Sequence, residues 1–164
     1  MGACGTGTTA LHHAPVTGHI RAVDISENMI AIAKEKQEKA GIENVNFECC
    51  DLDSLEFEAQ SYDLVMAHSI LHLVENREQV ISQVSKMLKP GGIFISSTVC
   101  LSNKNAWLKP VAYLMGMLGT WPKVSFFTDK QLSKEIVDRG FTIEQHWLPA
   151  KRFAAVFIVA KKAA

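Results

Sequence analysis

A glycine-rich turn, Gly2-Ala3-Cys4-Gly5-Thr6-Gly7, followed by alternating helical and strand-like segments, constrains this chain more than anything else in it. Glycines at this spacing let the backbone turn tightly and come close to a ligand. Such a loop leaves the carboxyl end of a buried strand and enters a helix in a doubly wound α/β domain. Here the loop stands at residue 2, and the strand expected before it is absent from the sequence.

Thr8 to Ala14 reads as a short helix ended by Pro15 and Gly18, and Ile20 to Ile25 as a short buried strand. Ser26 is placed to cap a second helix with Met29, Ile30 and Ala33 on its inner side, Glu35 and Lys39 paired on its wet face, and Gly41 as its stop. Val45 to Cys49 and Tyr62 to Ala67 read as further strands. Arg77 to Leu88 carries apolar residues at helical period, and Pro90-Gly91-Gly92 turns it into the strand Ile93 to Thr98. Strict alternation predicts a parallel sheet with helices on both faces. Near the end, Thr128 caps a helix running to Arg139, and Phe141–Leu148 and Phe153–Ala160 read as strands joined by a connection so short that they must be antiparallel.

The length, 164 residues, suits a single domain spanning 1–164, and with 48% hydrophobic residues the chain can bury a substantial core. Its 17 basic and 17 acidic side chains cancel, so no basic field favours nucleic acid and the expected partner is a small molecule. The N-terminus has no basic stretch leading into an apolar run, which predicts a cytoplasmic protein. Cys4, Cys49, Cys50 and Cys100 lack the spacing of a zinc site or a disulfide framework and read as reduced, mostly buried thiols. No metal site is expected. The longest apolar stretch, around Ala106 to Gly119, is shorter than the roughly 18 residues of a membrane span.

Three features fall at carboxyl ends of strands, where open α/β sheets bind ligands. The first is Ala3-Cys4-Gly5-Thr6-Gly7, whose amides can reach a polar ligand. The second is Asp24, about twenty residues on, placed to accept from two ribose hydroxyls. The third is Asp51, placed to accept from an exocyclic amine. Taken singly, a glycine-rich turn is more often there for packing and a strand-end aspartate more often a helix cap or a solvated turn; the three in register are harder to dismiss.

This constellation resembles the class I S-adenosylmethionine-dependent methyltransferases over nearly the whole chain. The residues that carry it are Ala3 to Gly7, Val23-Asp24-Ile25-Ser26 with Met29, and Cys50-Asp51-Leu52. Tyr62-Asp63-Leu64-Val65 through His68, Leu71 and His72, the turn Met87 to Gly92, and the closing antiparallel pair extend it. The resemblance implies a Rossmann-like, mostly parallel sheet with an antiparallel C-terminal strand and S-adenosylmethionine as cofactor. It implies that Ala3, Cys4, Gly5, Thr6 and Gly7 line the cofactor, with Gly5 and Gly7 against its methionine part. Asp24 would bind the ribose and Asp51 the adenine amine, with Ile25, Met29 and Leu52 against the ring and His68 also near the cofactor. Ordinary core is the other role for Ile25 and Met29, and both can hold, because one wall of the pocket is core.

The chain departs from the family pattern in three ways. Alanine stands at residue 3, where glycine is usual, and is tolerable if its φ is negative. Met1 stands where an acidic residue is usual. The first, central strand is missing, which would leave its neighbours roughly 10 Å apart and their backbone groups unpaired, so the expectation is an N-terminally truncated domain.

Methyl transfer from a sulfonium has an excellent leaving group, so alignment and desolvation supply most of the rate. A base is needed only for a weakly acidic acceptor, and His68 and His72 are the catalytic candidates, with His146 more remote. His12, His13 and His19 read as surface residues. The segment 103–127, with Trp107, Tyr113, Met115, Met117, Trp121, Phe126 and Phe127, lies where the family's insertions cover the acceptor. It suggests an apolar or lipid-like acceptor and peripheral membrane contact; closing the core or covering a dimer face is the alternative. The family's asparagine-proline-proline-aromatic motif is absent after Val65, which argues against nucleic acid as substrate.

Two other classes compete. Gly5 to Ala10 formally satisfies the glycine pattern of an NAD(P)-binding oxidoreductase, but Asp51, the Pro90-Gly91-Gly92 turn and the lack of Tyr-x-x-x-Lys point away from it. A degenerate, non-catalytic domain of the same fold that binds a partner is the second.

Overall fold

The computed structural model describes residues 2–100, 125–148 and 155–163. Helices α1 (Thr8–His13), α2 (Glu27–Ala40), α3 (Arg77–Met87) and α4 (Asp129–Val137) alternate with strands β1 (Ile20–Asp24), β2 (Val45–Cys49), β3 (Tyr62–His68) and β4 (Leu88–Val99). Strands β5 (Phe141–Trp147) and β6 (Ala155–Lys162) follow α4. The chain divides into two compact units, Met1–Phe57 and Glu58–Ala164.

In the first unit β1 and β2 run parallel with Ala22 opposite Phe47. Gly2 adds one parallel bridge to Val23, and Cys4 N donates to Val23 O over 3.0 Å, so residues 2–4 lead into the loop in a strand-like course. Helix α2 forms where expected for local reasons. Ser26 Oγ accepts from Met29 N, and Gly41 at φ 63° ends the helix in the left-handed region that glycine occupies without strain. Its Ile30 and Ala33 pack with Ala10, Ala14, Ala22, Val45 and Phe47 in a small core. Asn44 Nδ2 donates to Ala14 O and Thr17 O, closing the turn after α1.

In the second unit the strand order is β3-β4-β6-β5, parallel for the first pair and antiparallel for the other two. The sheet is thus mixed, with the reversed strand β6 inside and β5 at the edge. Among the described residues no strand joins this set to β1 and β2. Pro90-Gly91-Gly92 does not separate helix from strand. Leu88 already pairs with Tyr62, then Leu64 pairs with Ile93, so the extra residues bulge out of a strand that has begun. The core gathers Leu71, Ile81 and Leu88 with Phe94, Leu132, Ile136 and Ile158, all fully buried. Two buried polar residues of β4, Ser96 and Thr98, satisfy each other over 3.0 Å. Lys162 Nζ donates to Ser85 O and Leu88 O, pairing carbonyls that the end of α3 leaves open.

Helix α4 starts in a full capping box between Thr128 and Gln131. Arg77 grips Glu135 with two bonds of 2.9 and 2.7 Å and lies 3.8 Å over the Phe127 ring, joining α3 to α4. Trp107, Tyr113, Met115, Met117 and Trp121 lie outside the described residues. Of the same expected acceptor cover, Phe126 is half-buried and Phe127 is buried in the core.

Candidate functional site

The glycine-rich loop is built on alternate left-handed residues: Ala3 at φ 52°, Gly5 at 54° and Gly7 at 73°. The condition under which alanine would be comfortable at residue 3, a negative φ, is not met. Ala3 holds a conformation that favours glycine, at a cost of roughly 1–2 kcal/mol. Gly5 and Gly7 are required for different reasons. A Cβ at Gly5 would meet nothing within 4 Å, so the backbone there borders open space. A Cβ at Gly7 would lie 2.6 Å from Phe47 Cζ and 2.8 Å from Ala33 Cβ, so Gly7 lets α1 start against β2 and α2.

Asp24, the last residue of β1, faces this loop. Its Oδ2 accepts from Gly5 N at 2.8 Å and its Oδ1 from Ser26 N at 3.0 Å. Each oxygen keeps a further lone pair for an outside donor, and the carboxylate is held in one orientation before any ligand arrives. Next to it Ile25 is 71% and Met29 40% exposed. Neither is core: Ile25 does not continue the buried strand and Met29 does not face inward as expected, and the two form an apolar surface beside Asp24.

Cys50 N donates to Asp24 O at 3.0 Å and brings the end of β2 to the end of β1. Asp51 follows, exposed, its carbonyl accepting from Ser54 N and Ser54 Oγ. Leu52 is half-buried, with Cδ2 3.4 Å from where a Cβ on Gly2 would stand. Ala3 to Gly7, Asp24, Ile25, Met29, Asp51 and Leu52 all belong to the first unit. The hydrogen bonds described here tie Gly5, Asp24, Ser26 and Cys50 together.

The loop amides are less available than their number suggests. Cys4 N goes to Val23 O, Gly5 N to Asp24 and Gly7 N to Cys4 O. Among the amides of residues 4–7, that of Thr6 is left without an internal acceptor among the described residues. A residue absent from the sequence reading also enters here: Lys36 Nζ donates to Thr6 Oγ1 at 2.8 Å and Thr8 Oγ1 at 3.1 Å. Its signal was available, since Met29, Ala33 and Lys36 share one stripe of α2.

The thiols differ from the expectation of burial. Cys4 is buried, but Cys49 is exposed and Cys50 and Cys100 are intermediate. Burial, reinforced by the nearby Asp24 charge, pushes the Cys4 thiol up to about 11 and keeps it protonated.

His68 ends β3 in the second unit, and His72 lies on the following loop, before Asn76 caps α3. Between them Ser69 takes φ 53°, while its N donates to Ser97 O at 2.7 Å. His72 O accepts from Ser125 N, its Nδ1 is shielded from solvent without a partner, and burial lowers the imidazole below its ordinary pKa. His72 is therefore neutral at pH 7. His146 Nε2 stands 3.8 Å from Asp129 Oδ2, away from His72 in sequence and on the exposed edge strand. His12 and His19 are exposed and His13 half-exposed. No metal-binding cluster occurs among the described residues, and no described helix is long and apolar enough to cross a membrane.

Residues 2–147 match the family model of a methyltransferase domain. A demethylmenaquinone methyltransferase of Leptospira interrogans is 34% identical over 113 residues, 66% of this chain and 45% of the relative. A ubiquinone biosynthesis O-methyltransferase of Coxiella burnetii is 31% identical over 142 residues, 80% of this chain and 57% of the relative. The chain spans about half the length of these relatives. Its fold is similar to that of the YcgJ protein from Bacillus subtilis, with a TM-score of 0.79 at 17% identity, covering 99% of this chain and 90% of the other. An S-adenosylmethionine-dependent methyltransferase from Mesorhizobium loti gives 0.77 at 19% identity, covering 98% and 89%. With a family model covering most of its length, the chain belongs to the methyltransferase-domain family, of the class I S-adenosylmethionine-dependent type that its motifs resemble.

Proposed function

We propose that the first unit binds S-adenosylmethionine and that the protein transfers its methyl group to a small apolar acceptor. The observation that carries this reading is Asp24, held between Gly5 N and Ser26 N beside the exposed Ile25 and Met29. A fixed carboxylate with spare acceptor capacity suits a ribose diol, the apolar pair beside it suits a purine face, and the open space at Gly5 admits close approach. In this reading Leu52 completes the apolar wall, Asp51 accepts from the adenine amine, and Ala3 to Gly7 border the methionine part. The cofactor supplies an electrophilic methyl on a sulfonium.

The remaining chemistry falls to side chains that orient the acceptor and exclude water. His68 and His72, both in the second unit, are the candidate bases. A neutral His72 can accept the proton of a hydroxyl acceptor, whereas an ionised or carbon acceptor needs no base. Two relatives are named for quinone methylation, which favours a ring acceptor of that chemical class.

Calorimetric titration with S-adenosylhomocysteine and with NAD tests the cofactor, and mass analysis of hydroquinone and phenol acceptors tests the transfer. Binding of the adenosyl ligand alone, followed by a gain of one methyl on the acceptor, is expected. NAD binding, or no adenosyl binding, overturns the reading.

A further inference from the structure

Helix α2 serves the loop as well as the apolar wall. Met29, Ala33 and Lys36 stand at i, i+4 and i+7 on one stripe. Met29 is exposed beside the Asp24 turn, and Ala33 Cβ is one of the atoms that Gly7 must avoid. Lys36 reaches Thr6 and Thr8, on either side of Gly7, which has no side chain to cap α1.

The partners of the ammonium are unusual. Its hydrogen bonds run to two hydroxyls, and among the described residues no carboxylate forms an ion pair with it. Lys34, Glu35 and Lys39 on the same helix project to solvent, and Lys39 pairs with Glu35. Lys36, by contrast, is half-buried over the loop. Ordering a long side chain is entropically costly, and two neutral hydroxyls return little of that cost unless the ordered loop has a use. Thr6 is the residue gripped most tightly, and among the amides of residues 4–7 its N–H is the one without an internal acceptor among the described residues.

We propose that Lys36 is a positioning residue for cofactor binding: through Thr6 and Thr8 it fixes the Thr6 peptide, whose N–H is left to donate to the ligand. The inference rests on the reading that the first unit binds S-adenosylmethionine. Holding the peptide in advance moves the cost of ordering it from binding to folding, so Lys36 acts on affinity without touching the ligand.

The test uses the full chain and S-adenosylhomocysteine as probe. Lys36→Met is expected to raise its Kd about tenfold, with the ligand-free melting temperature moving by no more than about 2 °C. Lys36→Arg restores the affinity to within about threefold. Thr6→Val reproduces the loss, and the double variant is no weaker than either single one, because both remove the same link. Hydrogen exchange at Thr6 N speeds up in Lys36→Met without ligand.

Unchanged Kd in both Lys36→Met and Thr6→Val overturns the proposal. So does additivity in the double variant, or a loss that tracks melting temperature and is not restored by arginine. If Lys36→Met does not fold, Thr6→Val and the exchange rate at Thr6 decide alone. Failure of the unmodified chain to bind the probe would instead strike at the cofactor reading itself.

Discussion

Gly5 N donates to Asp24 Oδ2 across 2.8 Å, so the glycine-rich loop and the acid at the end of β1 form one unit before a ligand is present. Ser26 N holds the other oxygen at 3.0 Å. Replacing Asp24 with asparagine keeps the shape but turns one acceptor into an NH2 that must face a backbone N–H. Asp24→Asn is expected to lower stability by about 1–2 kcal/mol in urea unfolding and to weaken S-adenosylhomocysteine at least tenfold by calorimetry.

The glycines of the loop answer to different constraints, so equal substitutions should have unequal costs. Gly7→Ala drives a methyl into Phe47 and Ala33 at a left-handed residue, and about 3 kcal/mol of destabilisation is expected. Gly5→Ala meets open space and loses about 1 kcal/mol from backbone strain alone. Ala3→Gly relieves the strain at φ 52° and should raise stability by about 0.5 kcal/mol, the relief being partly offset by a freer unfolded chain. Chemical denaturation of the three variants checks the order.

Arg77 and Glu135 are 15% and 18% exposed at their side chains, and Phe127 lies under the guanidinium. Arg77→Met leaves a half-buried carboxylate without its partner and removes the cation over the ring. A loss of about 2–3 kcal/mol is expected by urea unfolding. The double variant Arg77→Met with Glu135→Leu should recover part of it, since no isolated charge then remains.

Burial lowers the His72 pKa from its ordinary 6.5. The unfolded chain therefore binds the proton more readily than the folded one. Stability contributed by a neutral His72 is complete above about pH 6.5, declines as the pH falls below that value, and levels off beneath the lowered folded-state pKa. His72→Gln should flatten this part of the stability profile between pH 7.5 and 5, measured by urea midpoints; an unchanged slope would assign it to other groups.

Features set by neighbours in sequence were legible. Ser26 and Gly41 bound α2, Thr128 opens α4 with its capping box, and the strand Val45–Cys49 lies where its alternation put it. What depended on distant neighbours was not. The sign of φ at Ala3 follows from the path of residues 2–4 along Val23, and the use of the Gly5 amide from a carboxylate 19 residues away. Lys36 belongs to no motif, and its role follows from Thr6 and Thr8 coming within reach of its ammonium. Of the site, the place of Asp24 at the end of β1 could be read from the pattern; the exposure of Ile25 and Met29, which the pattern put in a buried strand and on the inner side of α2, and the donors the loop keeps for a ligand could not. Pro90-Gly91-Gly92 misled because proline and glycine mark a bulge within a strand as readily as a turn before one.

Strand β6 lies between β4 and β5 although it comes after both in sequence. Its pairing with β4 spans residues 93–99 and 155–161, so the sheet of the second unit stays split until this late segment docks. Until then two hydrogen-bonding edges are bare, and the assembly of this unit is slow for a contact-order reason and open to pairing with other chains. Expression yield and refolding should therefore depend on residues 155–162 more steeply than on any change at the loop that begins the sequence.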